Sequence, residues 1–197
     1  GTLLQLDMGE KNNVQYFVNL EEEGIVHISR NDSWDLAFES SESGKAVYLN
    51  AAKNMAAYNT GKTSFTAVGK DDTSTATRNW KMDNWSGKID STAFGDWTTK
   101  KEIYIIRLNP EGSKLRKLQI VSADAFEYKI KLSEVTTGAS VDFTIIKNKD
   151  QHFTYFNLST LTTVSGVEPL KNTWDMVATL YSHTFYDQNP PLLYVVN

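Results

Sequence analysis

The sequence lacks cysteine altogether and has only 4 prolines among its 197 residues. The absence of cysteine excludes disulfide bonds, thiol nucleophiles and zinc sites built on thiolates. A chain of this length does not need covalent cross-links, because such a domain buries roughly 70% of the surface that its unfolded chain exposes. With 40% hydrophobic and 12% aromatic residues, the composition is typical of one globular domain or two small ones.

Three further absences restrict the partners of the protein. Acidic residues outnumber basic ones by 24 to 20, so no excess of positive charge attracts phosphate backbones, and nucleic acid is not an expected partner. No apolar run approaches the roughly 20 residues of a transmembrane helix. The start Gly1-Thr2-Leu3-Leu4 is unlike a signal peptide, so we expect any export or lipid signal to have been removed upstream.

Catalytic motifs are also missing from the sequence. It contains no G-x-S-x-G elbow, H-E-x-x-H motif, phosphate-binding glycine loop or EF-hand loop. The three histidines, His27, His152 and His183, do not have the spacing of a local metal site. We therefore expect a protein that is not an enzyme. A carboxylate pair for glycoside hydrolysis stays open, because the distance between two carboxylates cannot be read from their spacing.

Short runs rich in Val, Ile, Tyr, Phe and Thr alternate with turn residues along most of the chain, which predicts a mainly β, antiparallel fold with one to three short helices. A first hairpin is expected from Val14–Leu20 and Ile25–Ile28. Later runs predict a four-stranded meander whose basic residues occupy a solvent-exposed face. These runs are Glu102–Leu108, Lys114–Val121, Phe126–Leu132 and Val141–Ile146.

Two segments depart from this pattern. Ala51–Ala57 has the composition of a short helix. Residues 69–100 are the least regular part of the chain and carry three of its five tryptophans, Trp80, Trp85 and Trp97. Long loops of this kind are often functional. The three rings either close the end of a sheet or form the wall of a pocket for a flat ligand.

A pattern near the start recurs near the end of the chain. Tyr16–Leu20 and Trp34–Ala37 are followed about 140 residues later by Tyr155–Leu158 and Trp174–Ala178. The alternative is that the two Trp-Asp pairs coincide by chance. If the recurrence is a repeat, residues 1–150 form one β domain. Residues 151–197 then begin a second, incomplete copy, either packed on the first sheet or forming a separate lobe, and the native chain continues beyond Asn197.

Four short pieces of the sequence carry a resemblance in their order and spacing. They are Tyr16–Leu20, Trp34–Phe38, Ser43–Asn50, and Tyr104–Arg107 with Gly112 and Lys117. In these pieces the sequence resembles the HmuY family of Bacteroidetes, whose founding member captures haem. The resemblance implies a mostly β fold, export to the cell surface as a lipoprotein or secretion, and capture of a ligand without turnover.

The haem-binding members of this family hold iron through two His or Met side chains from loops. The comparable stretch here, about residues 70–100, has no histidine and only Met82. The family's pair of axial ligands is therefore missing, and one bond from Met82 to haem iron remains, with Trp80 or Trp85 stacked on the porphyrin. Our candidate ligand-binding residues are Trp80, Met82, Trp85 and Trp97. The rival hypothesis is a surface module that binds protein or glycan and holds no small molecule.

Overall fold

The computed structural model describes residues 3–76, 79–84, 86–137, 139–185 and 192–196, and its strands pair antiparallel throughout these residues. This confirms the mainly β class. The strands are β1 (Val14–Asn19), β2 (Gly24–Arg30), β3 (Leu36–Glu39), β4 (Val47–Leu49), β5 (Ala56–Asn59), β6 (Ile103–Arg107), β7 (Leu115–Ala123), β8 (Glu127–Glu134), β9 (Val141–Ile146), β10 (Phe153–Asn157), β11 (Thr162–Val164), β12 (Met176–Ala178), β13 (Tyr181–Phe185) and β14 (Leu192–Val196).

Helical structure in the described residues is short. It consists of two α-helices, α1 (Lys70–Ala76) and α2 (Trp97–Lys100), and 3₁₀ turns at Ala51–Lys53, Phe65–Ala67 and Ile89–Ser91. None of the described helices is long and apolar enough to span a bilayer.

A five-stranded sheet in the order β5-β6-β7-β8-β9 forms the centre of the fold. Its last four strands are the meander predicted from alternation. Because successive side chains point to opposite faces, Tyr104 and Ile106 face one hydrophobic cluster, whereas Ile103 and Ile105 face another. The sheet therefore separates two cores.

The first core lies between this sheet and a four-stranded sheet in the order β11-β10-β3-β4. Leu36 and Phe38 of β3 and Phe156 of β10 are almost wholly buried there. The β1–β2 hairpin, confirmed as predicted, belongs to a separate three-stranded sheet in the order β12-β1-β2. The remaining pair, β13-β14, forms a two-stranded sheet.

At most one short helix is expected in Ala51–Ala57, and the structure has one that covers only Ala51–Lys53. The helical part is one 3₁₀ turn, whose N-cap Asn50 accepts a hydrogen bond from Ala52 N, and it ends at Asn54 in the left-handed conformation (φ 50°). From Ala56 the chain is extended and pairs with β6, Ala56 lying opposite Arg107. Pairing with the edge of a buried sheet outweighs the helix propensity of alanine.

The expectation that the basic residues of the meander lie on a solvent-exposed face is wrong at Lys117. This side chain is only 1% exposed, because the segment between β5 and β6 covers this face of the sheet. Its ammonium group donates hydrogen bonds to the carbonyl oxygens of Phe65 (2.9 Å), Val68 (3.0 Å) and Thr137 (2.7 Å). The ammonium group thus has three carbonyl acceptors and joins two loops, β5–β6 and β8–β9, to β7.

Replacing this ammonium group tests its structural role. We expect Lys117→Met to lower the free energy of unfolding by on the order of 2–3 kcal/mol, because the buried carbonyls lose their charged donor. Lys129→Met is the matched control, since Lys129 is largely exposed. Chemical denaturation of both variants measures the difference. Equal stability of the two variants would contradict the role assigned to Lys117.

Candidate functional site

The segment from Asn79 to Trp97 joins the edge of the five-stranded sheet through one bridge. The amide of Ala57 donates to the Lys81 carbonyl and the amide of Lys81 to the Ala57 carbonyl, both at 2.8 Å. Residues on either side of Lys81 alternate as in a strand, and Trp80 and Met82 both contact the cluster on the Ile103 and Ile105 face of the sheet. Local pairing therefore brings these two candidate residues together.

Trp80 is buried and packs beside a charged group. The guanidinium carbon of Arg107 lies 5.6 Å from the centroid of the indole, a distance at which a cation is attracted by the ring. Arg107 Nη2 donates to the Asn54 carbonyl at 3.0 Å. Its Nε is buried and has no acceptor in the described residues.

Met82 is partly buried, and its thioether faces β13. The sulfur accepts a hydrogen bond from the backbone amide of Thr184 at 3.2 Å. A bond from this sulfur to iron would require that contact to be released. Met82 thus lies at the boundary between the cluster that contains Trp80 and the β13-β14 hairpin.

Trp97 lies in the other core, on the opposite face of the sheet from Trp80. It is the first residue of α2, whose N-cap Asp96 accepts from Thr98 N. The indole nitrogen donates to the Lys45 carbonyl at 2.8 Å. The structure therefore brings Trp80 and Met82 together and places Trp97 apart from them, while Trp85 lies outside the described residues.

A small cavity of about 250 Å³ follows the outer side of this segment. It is below the roughly 300–1,000 Å³ of most ligand pockets, so a large planar molecule would enter only in part. Its wall carries aromatic rings, two lysines and three carboxylates, and the charged members are Lys81, Lys100, Asp90, Asp96 and Glu102. A larger groove of about 660 Å³ lies elsewhere, between α1 and β7, and its lining includes Lys70, Arg116 and Glu134.

Asp83 fixes the segment to the four-stranded sheet. Its two carboxylate oxygens accept hydrogen bonds from the amides of Leu49 (2.6 Å) and Ala93 (2.7 Å). Burial raises the pKa of Asp83 to about 6, although both amide donors act in the opposite direction. Sequence reasoning missed this residue, because a single aspartate in a polar loop carries no pattern.

The described residues contain no group of three His, Asp or Glu side chains that could hold a metal ion. Met82 stays a prediction from the sequence for a bond to iron in this segment.

Comparison with known families adds one finding. The model of the family described as HmuY protein matches residues 11–117, just over half of the chain. The chain belongs to the HmuY family. The HmuY match includes all four pieces that carry the sequence resemblance and the whole Asn79–Trp97 segment. The HmuY family is a ligand-binding family, generally exported, and associated with haem. No curated protein and no solved structure matches the chain.

The raised pKa of Asp83 predicts how stability depends on pH. A free aspartate titrates near pH 4, so between about pH 4 and 6 the folded protein binds this proton more tightly than the unfolded chain does. The contribution of Asp83 to the free energy of unfolding should be largest below pH 4 and decrease by on the order of 3 kcal/mol as the pH rises through 6.

Urea denaturation across this pH range measures the effect. The Asp83→Asn variant should lose this part of the pH dependence, whereas Asp90→Asn, at an exposed position in the same segment, should keep it. An unchanged profile in Asp83→Asn would contradict the assignment.

Proposed function

We propose that this chain is an exported binding protein of the HmuY type, which captures a porphyrin without turnover at the Asn79–Trp97 segment. The observation that carries the proposal is the family match, which extends over this segment. The ring of Trp80 and the thioether of Met82, which pack on the same cluster, supply the residue types that contact a flat, apolar macrocycle. Trp97 lies on the other face of the sheet and is not part of this pair.

The donor set of the segment determines what kind of haem site fits. Residues 70–100 contain one methionine and no histidine, so coordination by two side chains from this segment does not fit. A single axial bond from Met82 fits, once the Thr184 amide releases the sulfur. Bound haem would supply the iron that this thioether ligates.

Charge at the cavity is mixed and does not by itself favour a porphyrin that carries carboxylates. Lys81 and Lys100 line the cavity and are exposed, so they can pair with propionate groups without the cost of burying a charge. Asp90, Asp96 and Glu102 belong to the same lining, and Lys100 is already paired with Glu102. The proposal therefore depends on ring and thioether contact, and it assigns no step of bond cleavage to the chain.

A second function is favoured by a different observation. The three-stranded sheet exposes large apolar side chains, Leu20 at 60%, Ile28 at 54% and Met176 at 45%. Exposed apolar patches often mark contacts with other macromolecules. The alternative is therefore a cell-surface module that binds protein or glycan through this sheet and holds no small ligand.

Titration with haemin tests the first proposal. We expect a shift of the Soret band with the natural protein, loss of the iron-ligation signature in Met82→Leu, and natural behaviour in Met176→Leu, which removes a distant thioether. Metal-free protoporphyrin should quench tryptophan fluorescence equally in all three proteins, because ring contact does not need the sulfur. An unchanged spectrum with haemin, oxidised and reduced, would contradict haem capture.

The alternative predicts a partner on a glycan array or among outer-surface proteins whose binding is indifferent to haemin. Ile28→Asp should abolish that binding, because it places a charge on the exposed apolar face. Binding that survives this substitution would contradict a role for the three-stranded sheet.

A further inference from the structure

Two pairs of elements carry the recurring sequence pattern. We use "Asn-Leu hairpin" for β1–β2 with Asn19-Leu20 and for β10–β11 with Asn157-Leu158. We use "Trp-Asp strand" for β3 with the preceding Trp34-Asp35 and for β12 with the preceding Trp174-Asp175. Each Trp-Asp strand pairs with the Asn-Leu hairpin from the other end of the chain. The two pairings, β3 with β10 and β12 with β1, are called the first and the second junction.

At the first of these junctions, three hydrogen bonds join β10 to β3. Asn157 Nδ2 donates to the Ser33 carbonyl at 2.9 Å. The Leu158 amide donates to Asp35 Oδ2 at 2.6 Å. The Asp35 amide donates to the Phe156 carbonyl at 2.9 Å. The side chains of Asn157 and Asp35 therefore each bond to the backbone of the opposite segment.

The second junction has the same three bonds at the equivalent positions. Asn19 Nδ2 donates to the Thr173 carbonyl at 3.2 Å. The Leu20 amide donates to Asp175 Oδ2 at 2.8 Å. The Asp175 amide donates to the Val18 carbonyl at 2.9 Å. Donor, acceptor and register recur, which a chance coincidence of two Trp-Asp pairs does not explain.

The aromatic contacts recur as well. Trp34 meets Tyr155 edge to face at 5.0 Å, and Trp174 meets Phe17 edge to face at 4.9 Å. Both indole nitrogens are buried and find no acceptor in the part of the chain that the structure describes. The two junctions are thus equivalent in polar contacts, ring contacts and an unsatisfied donor.

Burial differs between the two junctions although the contacts are the same. Leu36 and Leu158 are 0% exposed against the five-stranded sheet, whereas their counterparts Met176 and Leu20 are 45% and 60% exposed. The hydrophobic core therefore cannot be what makes both junctions alike. The hydrogen bonds and ring contacts that the two junctions share therefore determine that an Asn-Leu hairpin pairs with a Trp-Asp strand.

The length of one connection explains why the hairpins are exchanged. If β1 paired with β3, which follows it in the chain, the strand order would be β3-β1-β2. Strands β2 and β3 would then be parallel to each other, with β1 between them. Parallel strands need a crossover of about a dozen residues, but only residues 31–35 join β2 to β3, against 165–175 between β11 and β12. The first connection is too short, and short connections favour exchange.

We propose that β3 and β12 are equivalent docking edges of two copies of one repeat, 1–150 and 151–197. Each docking edge accepts an Asn-Leu hairpin of either copy, and in this chain it pairs with that of the other copy. The short connection at residues 31–35 imposes the exchange within this chain.

Engineered cysteine pairs test the proposal in the full chain, which has no cysteine of its own. Val18 faces Met176 in the exchanged arrangement and would face Leu36 in the unexchanged one, at a separation that a disulfide can bridge. We expect Val18→Cys with Met176→Cys to form a disulfide within one chain. Val18→Cys with Leu36→Cys should remain reduced.

Lengthening the connection between β2 and β3 is the decisive experiment. Insertion of about seven Gly/Ser residues between Asp32 and Ser33 provides the missing crossover length. The Val18 and Leu36 cysteine pair should then form an intrachain disulfide on a non-reducing gel. Phe17→Cys with Ala37→Cys is a second reporter of the same arrangement, should the substitution at buried Leu36 prevent folding.

Three results would overturn the proposal. The first is a Val18–Leu36 disulfide without the insertion, and the second is no unexchanged disulfide from either reporter after insertion although circular dichroism shows a folded chain. The third is a Val18–Met176 disulfide found only between chains, which would place the exchange between two copies of the protein.

Discussion

The buried carboxylate of Asp35 is the constraint on which the rest of the fold depends. The side chain is inaccessible to solvent and lies in an ion pair with Lys53. Its second oxygen accepts the amide of Leu158, which lies more than a hundred residues away. A buried charge is tolerated only when it is paired and hydrogen bonded. Asp35 therefore holds β10 on β3, and the completed four-stranded sheet covers the central core.

The position of the candidate site follows from that arrangement. Once the four-stranded sheet covers one face of the meander, the segment between β5 and β6 has to cover the other face and the sheet edge. Asp83 joins this segment to β4, and the bridge of Lys81 to Ala57 joins it to β5. Trp80 and Met82 consequently lie on one side of the central sheet, and Trp97 lies on the other.

Alternation and turn chemistry predicted most of the strands. The meander and the first hairpin have clear period-two patterns bounded by turn residues, and both form as predicted. The short helix expected in Ala51–Ala57 is limited to Ala51–Lys53, because tertiary pairing from Ala56 onward opposes the local propensity of the segment. The burial of Lys117 could not be predicted, because alternation identifies a face of a sheet but not what covers it.

The candidate site was only partly readable from the sequence. Met82 and the tryptophans were proposed from residue type, whereas Asp83 gave no signal, because its role depends on the amides of Leu49 and Ala93, 34 and 10 residues away. The exchange of hairpins was beyond prediction for a different reason. Two hairpins with the same pattern fit the same strand, so the pattern identifies the kind of partner and not which copy supplies it.

Nuclear Overhauser spectroscopy on the labelled full chain tests the central claim most directly, because the ring contacts at the two junctions differ in identity. The account predicts cross-peaks between the indole protons of Trp34 and the ring of Tyr155, and between Trp174 and Phe17. Cross-peaks between Trp34 and Phe17 would show that the first hairpin docks on its own strand and would contradict the account.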